Sequence, residues 1–278
     1  MTDRYAVIGN PVTHSRSPAI HAEFARATGQ AIEYTRLEAP LDGFAATVAR
    51  FAAAGGCGLN VPVPFKLDAF ALAHSHSARA SAAGACNTLK RDGDRWHGDN
   101  TDGAGMLRDL EVNFGVTLEG RDVLVLGAGG AARGILLPLA GARPRSLSIA
   151  NRTTGNALAL GQALASHARV DVIAAAELAG RAFDVVINAT SAGLGLGHAA
   201  HTPLPWPTTL FRPDAFAYDL NYADMPTLFI RWARDAGASR TADGFGMLIE
   251  QAAESFDLWR GVRPGTAAMI ERMRARRN

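Results

Sequence analysis

The segment from Asp122 to Gly134 constrains the fold most, because it joins an apolar run to a helical pattern through glycines. Its sequence is DVLVLGAGGAARG. The run Val123 to Leu126 is typical of a strand buried on both faces of a parallel sheet. Gly127, Gly129 and Ala132 then match the dinucleotide-binding pattern G-x-G-x-x-G/A.

Two glycines of this loop have a specific physical role. Gly127 permits a tight turn, and Gly129 has no Cβ, so a pyrophosphate can approach the backbone. The helix that follows offers free N–H groups and the positive end of its dipole to that anion. An ordinary strand-to-helix turn is the alternative, but a second predicted strand at Ser146 to Ala150 favours nucleotide binding.

The end of that second strand indicates which dinucleotide is bound. An NAD site places an Asp or Glu there to hold the ribose 2′-hydroxyl. This chain has Asn151, Arg152 and Thr153 instead. A guanidinium can stack on adenine and pair with a 2′-phosphate, so the sequence predicts NADP. The alternative is a solvated arginine at the end of a strand.

Composition bounds the class of protein. The chain has 278 residues, 48% of them apolar, enough for two domains. Its formal charge of +2 and an Arg-rich end (272–277) without interleaved aromatics argue against a nucleic-acid partner. Two cysteines suggest no disulfide framework. Neither a signal region nor a membrane-length apolar run is present, so we expect a cytoplasmic protein without a membrane partner.

The N-terminal part predicts an α/β domain whose first strand, Tyr5 to Ile8, leads to a helix start at Ser17 and Pro18. Ser17 reads as a helix N-cap followed by proline. Capping is one interpretation of Ser15 and Ser17. The other is a corner that binds a carboxylate beside free N–H groups.

Another predicted strand of this domain, Gly58 to Val61, ends in a proline-containing loop that carries Asn60 and Lys66. Ligands of α/β folds bind at such strand ends. Asp102 lies in a polar, glycine-bracketed segment, where it either caps a helix from Ala104 to Val112 or faces the Lys66 loop. We predict no metal site, because His74 and His76 lack further ligands.

The middle of the chain predicts a doubly wound α/β domain. The stretch from His198 to Pro213 contains four prolines and predicts an irregular loop. A helix from Met247 to Trp259 and a last one from Thr266 to Arg276 complete the chain. The predicted strands of this domain are Val123–Leu126, Ser146–Ala150, Val170–Ile173, Val185–Asn188 and Phe216–Asp219.

Several separated segments together resemble the shikimate dehydrogenase family. They keep the family's order and span nearly the whole chain. The segments are GNPVTHSRSP (9–18), NVPVPFK (60–66), GACNTL (84–89), GDNTDG (98–103), GAGGA (127–131), NRT (151–153), NATS (188–191) and ADGFGML (242–248).

The resemblance implies two α/β domains: a substrate domain over 1–103 and a Rossmann-like NADP domain over 104–242. The C-terminal helices, 243–278, are then expected to return to the first domain. The implied reaction is the reversible NADPH-dependent reduction of 3-dehydroshikimate to shikimate, in the pathway to the aromatic amino acids. The expected assembly is a monomer or a homodimer.

The family's residue roles carry over to this sequence. Lys66 and Asp102 match the catalytic pair, and Ser15 and Ser17 match the site of the substrate carboxylate. The implied substrate-binding set is Ser15, Ser17, Asn60, Asn87, Tyr222 and Gln251. The implied cofactor-binding set is Gly127, Gly129, Gly130, Ala131, Asn151, Arg152, Thr153, Thr190, Gly244 and Met247.

Two positions depart from the family pattern. Pro62 stands where the family usually has a threonine whose hydroxyl contacts substrate, and Asn156 stands where a second arginine commonly supports the 2′-phosphate site. Two alternative functions stay open at this point. One is a quinate/shikimate dehydrogenase with relaxed cofactor choice, and the other is a non-catalytic NADP-binding sensor.

Overall fold

The structure is a computed structural model that describes residues 2–192 and 204–275. The chain divides into two compact units. The first runs to Gly105 and takes in Ile249–Met269, and the second comprises Met106–Leu248 and the chain from Ile270 onward. Residues 198–203 of the predicted proline-rich loop and 276–277 of the Arg-rich end lie outside the described residues. The domain boundaries at 103 and 242 stay predictions.

The first unit is a mixed sheet with helices on both faces. Its strands are β1 (Asp3–Gly9), β2 (Ile32–Glu38), β3 (Gly56–Asn60), β4 (Ser75–His76), β5 (Thr88–Asp92) and β6 (Arg95–Asp99). Its helices before Gly105 are α1 (Ser17–Thr28), α2 (Phe44–Ala53), α3 (Lys66–Leu72) and α4 (Ala78–Ala83), and α5 (Asp102–Arg108) begins there.

The sheet of the first unit has the strand order β2-β1-β3-β5-β6-β4. Strands β1, β2 and β3 are parallel, whereas β5 runs antiparallel to both β3 and β6. Strands β5 and β6 therefore form a hairpin whose turn lies between Asp92 and Arg95. Phe44, Val48 and Phe51 of α2 pack on the face that carries Ile8 and Leu59. These contacts explain the apolar stripe of α2 in the sequence.

The second unit is a parallel sheet. Its strands are β7 (Asp122–Leu126), β8 (Ser146–Asn151), β9 (Asp171–Ala174), β10 (Phe183–Asn188), β11 (Phe211–Asp219) and β12 (Arg240–Asp243). The remaining helices of the chain are α6 (Gly130–Gly141), α7 (Thr154–Leu164), α8 (Leu228–Asp235), α9 (Phe245–Arg260) and α10 (Ala267–Ala275).

The order of this second sheet is β12-β11-β10-β7-β8-β9, with every pair parallel. This is the doubly wound arrangement, and its strand order reverses beside β7, where dinucleotides bind in such sheets. The four residues Val123 to Leu126 are fully buried, which confirms the strand predicted from their apolar run. The doubly wound fold class is therefore confirmed.

The structure differs from the sequence prediction at three places here: one strand was missed, and two predicted elements have other bounds. Strand β12 was not predicted, because Arg240–Asp243 is short and mostly polar. Strand β11 begins at Phe211, within the predicted loop, and Pro213 is accommodated because it lies at the irregular start of the pairing with β10. The predicted helix from Ala104 to Val112 is α5 followed by a π-helical turn, Asp109–Asn113, whose carboxylate Asp109 is fully buried.

A charge cluster lies at the amino ends of β7 and β10. Arg145 donates two hydrogen bonds to the Asp122 carboxylate, at 2.9 Å each, and Ser146 donates a third at 2.8 Å. Arg212 also contacts Asp122, at 2.5 Å, and reaches Asp184 at 3.0 Å. The hydrogen bond from Arg145, with help from Ser146 and Arg212, holds the pKa of the Asp122 carboxyl well below its usual range.

This cluster predicts a pH-dependent contribution to stability. Replacing Asp122 with Asn should lower the free energy of unfolding by about 1 kcal/mol at pH 7, because charge-assisted hydrogen bonds from two arginines are lost. A carboxyl with a depressed folded-state pKa stabilises the fold above its unfolded pKa of about 4 and loses that effect in acid. The deficit of Asp122→Asn should therefore shrink as pH falls below about 4.

Urea unfolding at pH 7, 4 and 3 measures this, with Asp94→Asn as the control. The Asp94 side chain is fully exposed, and its nearest arginine contact is 3.8 Å away. The control should change little at any of the three pH values. A deficit for Asp122→Asn that is the same at pH 7 and pH 3 would show that the ion pairs do not cause it.

Candidate active site

A buried ion pair forms the centre of the candidate site in the first unit. Lys66 Nζ lies 2.5 Å from Asp102 Oδ2, and the two side chains are only 16% and 11% exposed. Asn87 Nδ2 donates to the other carboxylate oxygen, Asp102 Oδ1, at 2.7 Å. Both carboxylate oxygens are therefore held, so the pair has a defined geometry with little solvent around it.

Backbone hydrogen bonds fix the loops that carry this pair. Lys66 is the first residue of α3, and its carbonyl accepts from Cys86 N at 2.9 Å. Val61 N donates to the Asn87 carbonyl at 2.7 Å, just beyond the end of β3. The loop after β3 and the segment before β5 are thus tied together on both sides of Asn87.

The sequence left two roles open for Asp102, a helix cap or a residue that faces the Lys66 loop. The structure shows that it is not a helix cap. Helix α5 begins at Asp102 itself rather than at Ala104. Its carboxylate is occupied by Lys66 and Asn87. The other interpretation, that Asp102 faces the Lys66 loop, is confirmed.

Gln251 joins the same polar group from helix α9. Its Oε1 lies 3.3 Å from Asn87 Nδ2 and 3.4 Å from Thr101 Oγ1. A Cβ on Gly105 would lie 2.5 Å from the backbone nitrogen of Gln251. Only glycine at 105 therefore lets α5 approach α9 closely enough to bring Gln251 to this centre.

Ser15 and Ser17 are neighbours, but Ser17 is not the helix N-cap that the sequence suggested. Arg16 has that position, Ser17 is the first helical residue, and no side chain of the cap position bonds the helix. Instead, Ser15 Oγ accepts from Ser17 N at 3.3 Å. Arg36 donates to the Ser15 carbonyl at 2.6 Å and so fixes the loop before α1.

Asn60 connects the serine corner to the rest of the site. The Tyr34 hydroxyl donates to Asn60 Oδ1 at 2.7 Å, and Ser17 hydrogen-bonds Tyr34 in turn. Burial raises the pKa of Tyr34 well above its ordinary value. His21 Nε2 lies 3.1 Å from Asn60 Oδ1, and burial lowers the pKa of His21 to about 3, so the ring is neutral. His21 is therefore a local hydrogen-bonding residue beside Asn60.

Sequence reasoning missed the buried hydroxyls that surround Asn87. Each is next to a predicted residue or one helical turn from it, which is the signal that could have found them. Ser255 follows Gln251 by four residues on α9, and so lies on the same helical face. These missed residues are Thr88, Thr101 and Ser255. Tyr34, which bonds Asn60, was missed as well, and no predicted residue near it in the sequence points to it.

In the second unit, the glycine loop has the geometry expected of a phosphate-binding turn. Gly127 has a φ of +111°, and a Cβ there would lie 2.9 Å from the backbone of Ala189, so glycine is required. A Cβ on Gly129 or Gly130 would meet no heavy atom of the described residues within 4 Å. The backbone of this loop, with exposed Ala131 in the first turn of α6, is therefore open to an anion.

The residues predicted to lie near the cofactor at other strand ends also belong to this unit. Thr190 follows β10, and its hydroxyl donates to Asn188 Oδ1 at 2.7 Å. Gly244 follows β12, and a Cβ there would lie 2.2 Å from the Leu220 carbonyl oxygen, so packing alone requires glycine. Met247, on α9, is partly buried. Tyr222, which was predicted to bind substrate, lies after β11 with its ring 6.0 Å from that of Phe245.

The predicted 2′-phosphate site lies between β8 and α7. Asn151 ends β8, and its Nδ2 donates to the Thr153 carbonyl at 2.9 Å, which shapes the turn. Arg152 is exposed, and within the described residues its guanidinium has no carboxylate partner. A cation with unused donors at this strand end suits a phosphate, and the residues present therefore fit NADP.

Residues 2–192 and 204–275 contain neither a cluster of metal ligands nor a helix that could span a membrane. There is no cluster of three or more His, Cys, Asp or Glu side chains that could hold a metal ion. No helix there is both long enough and apolar enough to cross a membrane.

The fold and the site define a class: a two-unit α/β protein with a doubly wound dinucleotide-binding sheet and a separate polar centre built on a lysine–aspartate pair. Three family models match the chain. They are the shikimate dehydrogenase substrate binding domain (residues 7–89), shikimate / quinate 5-dehydrogenase (110–201) and the shikimate 5′-dehydrogenase C-terminal domain (244–274).

A curated relative from Aromatoleum aromaticum, named shikimate dehydrogenase (NADP(+)), is 58% identical over 98% of this chain and 97% of its own length. The relative of that name from Dechloromonas aromatica is 51% identical over 99% of both chains. The chain therefore belongs to the shikimate dehydrogenase family, a family of NADP-dependent oxidoreductases.

Solved structures agree with this assignment. The shikimate 5-dehydrogenase of Thermus thermophilus, solved in complex with NADP(H) and shikimate, is 32% identical and covers both chains completely with a TM-score of 0.86.

The glycine loop gives a testable contrast between two substitutions. Gly127→Ala should lower the free energy of unfolding by roughly 1–3 kcal/mol, because it combines a disfavoured φ with a backbone clash. Gly129→Ala should leave stability nearly unchanged, since its added Cβ points into open space, but should weaken NADP binding if phosphate approaches there. Thermal unfolding and NADPH fluorescence titration measure the two effects. Unchanged NADP affinity in a stable Gly129→Ala protein would contradict the assignment of the loop.

Proposed function

We propose that this chain catalyses the reversible, NADP-dependent interconversion of shikimate and 3-dehydroshikimate. The observation that carries the proposal is the buried contact between Lys66 and Asp102, with Asn87 and Gln251 beside it. The names of the curated relatives and the Thermus thermophilus complex support the choice of substrate and cofactor. We further propose that reduction to shikimate is the direction used, on the pathway to aromatic amino acids.

Lys66 transfers the proton of the reacting hydroxyl. When bound, NADP supplies the hydride acceptor for oxidation of the alcohol and the hydride donor for reduction of the ketone. The ammonium of Lys66 has three rotatable donors, so it can bond Asp102 and still point a proton at a substrate oxygen. Lys66 gives that proton when the ketone is reduced and takes it when the alcohol is oxidised.

Asp102 holds Lys66 in one position and accepts a hydrogen bond from a substrate hydroxyl. Asn87 and Gln251 offer amide groups to the neighbouring hydroxyls of the substrate ring. Such fixed polar groups orient a polyhydroxylated ring so that only one carbon faces the hydride. The alternative of a non-catalytic sensor is not favoured, because a sensor has no need of an intact, buried lysine–aspartate pair.

Ser15 and Ser17 bind the substrate carboxylate in this proposal. The loop before α1 is held by Arg36, and Ser17 lies in the first turn of the helix, at the positive end of its dipole. Two hydroxyls at this end of a helix form a neutral site for an anion. Asn60 lies within the same hydrogen-bonded group through Tyr34 and completes the predicted substrate set.

The cofactor is bound by the second unit. Gly127, Gly129, Gly130 and Ala131 place the pyrophosphate at the start of α6, and Arg152 pairs with the 2′-phosphate, supported by Asn151 and Thr153. Thr190, Gly244 and Met247, which follow other strand ends, complete the cofactor site.

Removing the ammonium of Lys66 tests the mechanism. Lys66→Met keeps most of the side-chain volume, and it should lower kcat for shikimate oxidation by ~10²–10⁴, the usual effect of losing a positioned acid or base. NADP affinity should barely change, because the glycine loop and Arg152 are untouched. Initial rates followed at the NADPH absorbance band give kcat.

The matched control is Lys90→Met in the same unit. Lys90 Nζ donates to the Leu258 carbonyl at 2.7 Å, so this variant also removes a partly buried ammonium. Its kcat should stay close to that of the wild type. If Lys66→Met retains kcat within a few-fold, Lys66 is not the proton carrier, and Tyr222 is the next candidate.

Arg152→Ala tests the choice of cofactor. The substitution removes a charge-assisted contact to the 2′-phosphate, so the Kd for NADP should rise on the order of tenfold to hundredfold. The Kd for NAD should change little, since NAD has no phosphate there. Arg169→Ala, which removes an exposed arginine of the same unit, is the control. Equal weakening of NADP and NAD would show that Arg152 does not read the 2′-phosphate.

A further inference from the structure

We propose that Thr88 and Ser255 are positioning residues for the reaction proposed above: they set the orientation of the Asn87 amide and, through it, of the Asp102 carboxylate beside Lys66. Neither residue is in the predicted site set. The inference rests on the proposed function and adds the parts of the molecule that hold its catalytic pair in place.

The Asn87 amide has only one orientation that satisfies its surroundings. Its Oδ1 accepts from Thr101 N at 2.8 Å and lies 3.0 Å from Thr88 Oγ1. Its Nδ2 therefore lies on the other side, where it donates to Asp102 Oδ1 at 2.7 Å. Turning the amide over would set NH₂ against the Thr101 N–H and an amide oxygen against a carboxylate.

A second amide, that of Asn60, fixes the donors behind Thr88. Tyr34 and His21 both reach Asn60 Oδ1, so this oxygen is the acceptor. Asn60 Nδ2 then donates to Ser255 Oγ at 2.9 Å, and has Thr88 Oγ1 at 3.3 Å. Since an amide nitrogen can only donate, Ser255 Oγ receives a hydrogen from Asn60.

The hydroxyl of Ser255, which accepts a hydrogen bond from Asn60, in turn donates one to Thr88. Three acceptors lie within its reach: Thr88 Oγ1 at 2.8 Å, the Gln251 carbonyl at 3.1 Å and Thr101 Oγ1 at 3.3 Å. The shortest contact is the one to Thr88. With Ser255 as the donor, the single hydrogen of Thr88 is left for Asn87 Oδ1. Every donor in the chain from Asn60 to Asn87 then points towards Asp102, and successive hydrogen bonds in one direction strengthen each other.

Because the Thr88 and Ser255 hydroxyls are buried, water cannot replace the hydrogen bonds that they make. Thr88 and Ser255 are both 0% exposed. They therefore act on the reaction through Asn87 and not by contact with substrate. Removing either hydroxyl takes one of several partners from a buried amide: Asn87 Oδ1 keeps its bond from Thr101, and Asn60 Nδ2 keeps one of its two hydroxyl acceptors. The amide is then held less firmly, and the cheapest response is a shift of Asn60 or Asn87. Such a shift misplaces Asp102 and Lys66 in the transition state.

The test is a set of four variants assayed for shikimate oxidation. Thr88→Val replaces the hydroxyl with a methyl of the same shape, Ser255→Ala removes the second hydroxyl, and Thr88→Ser restores the first. The matched control is Thr47→Val, which removes a buried hydroxyl of the same unit on α2 that bonds only Arg50 within the described residues. For each, kcat, the KM for shikimate, the Kd for NADPH and the midpoint of thermal unfolding are measured.

We expect Thr88→Val and Ser255→Ala to lower kcat roughly tenfold, as a displaced catalytic pair should. The KM for shikimate should change less than kcat, because Ser15 and Ser17 still bind the substrate carboxylate. The Kd for NADPH should stay within about twofold, because the cofactor residues are untouched. Thr88→Ser should recover most of kcat, and Thr47→Val should keep it. A purely structural role would lower the unfolding midpoint of Thr88→Val and Thr47→Val alike, and leave kcat of the folded protein unchanged.

The outcomes separate the two proposals. If the wild type does not oxidise shikimate, the proposed function fails and this inference fails with it. If the wild type is active and Thr88→Val keeps kcat, or raises only KM, the inference alone is overturned. Should Thr88→Val fail to fold, Ser255→Ala decides by the same criteria, since it only removes an atom and introduces no new one.

Discussion

Burying the Asp102 carboxylate is the constraint on which much of the first unit depends. A carboxylate so little exposed to water needs a cation and hydrogen-bond donors close by. Lys66 supplies the cation from the loop after β3, and Asn87 supplies a donor from the segment before β5. The backbone bond from Val61 to Asn87 keeps those two segments in register. The polar centre therefore exists only when β3, β5 and the start of α5 are all in place, which couples folding to the formation of the site.

Helix α9 also supplies polar side chains to the surroundings of Asp102 and Asn87. It carries Gln251 and Ser255 to the polar centre, although both lie more than a hundred residues from Asn87 in the sequence. The indole of Trp259, on the same helix, donates to the Leu89 carbonyl at 3.0 Å, and a Cβ on Gly58 would lie 2.6 Å from that ring. Small residues on the sheet and on α5 therefore admit the helix closely enough for its polar face to reach the centre.

The positions of the predicted site residues in the second unit follow from the geometry of a parallel sheet. In a parallel sheet, all strands present their carboxyl ends at one edge, so the loops after β7, β8, β10, β11 and β12 share that edge. Every one of these loops contains a predicted cofactor or cleft residue, from Gly127 to Gly244. Two of the glycines are required by the protein itself: Gly127 by its positive φ and by Ala189, and Gly244 by the Leu220 carbonyl. Gly129 has no such requirement, which leaves its open space for a ligand.

The sequence by itself determined the doubly wound sheet, the glycine loop and the missing acid after β8, because these are local patterns of apolar runs, glycines and strand ends. The catalytic roles of Lys66 and Asp102 came only from the resemblance to the family and stay predictions. It could not determine that Ser17 would leave the cap position, that the chain would form β12 from four mostly polar residues, or that α5 would end in a π-helical turn around Asp109. Those outcomes depend on partners distant in sequence. Only the tertiary structure decided that Thr88, Thr101 and Ser255 surround Asn87, because the direction of a buried hydrogen bond is set by which donors and acceptors folding brings together.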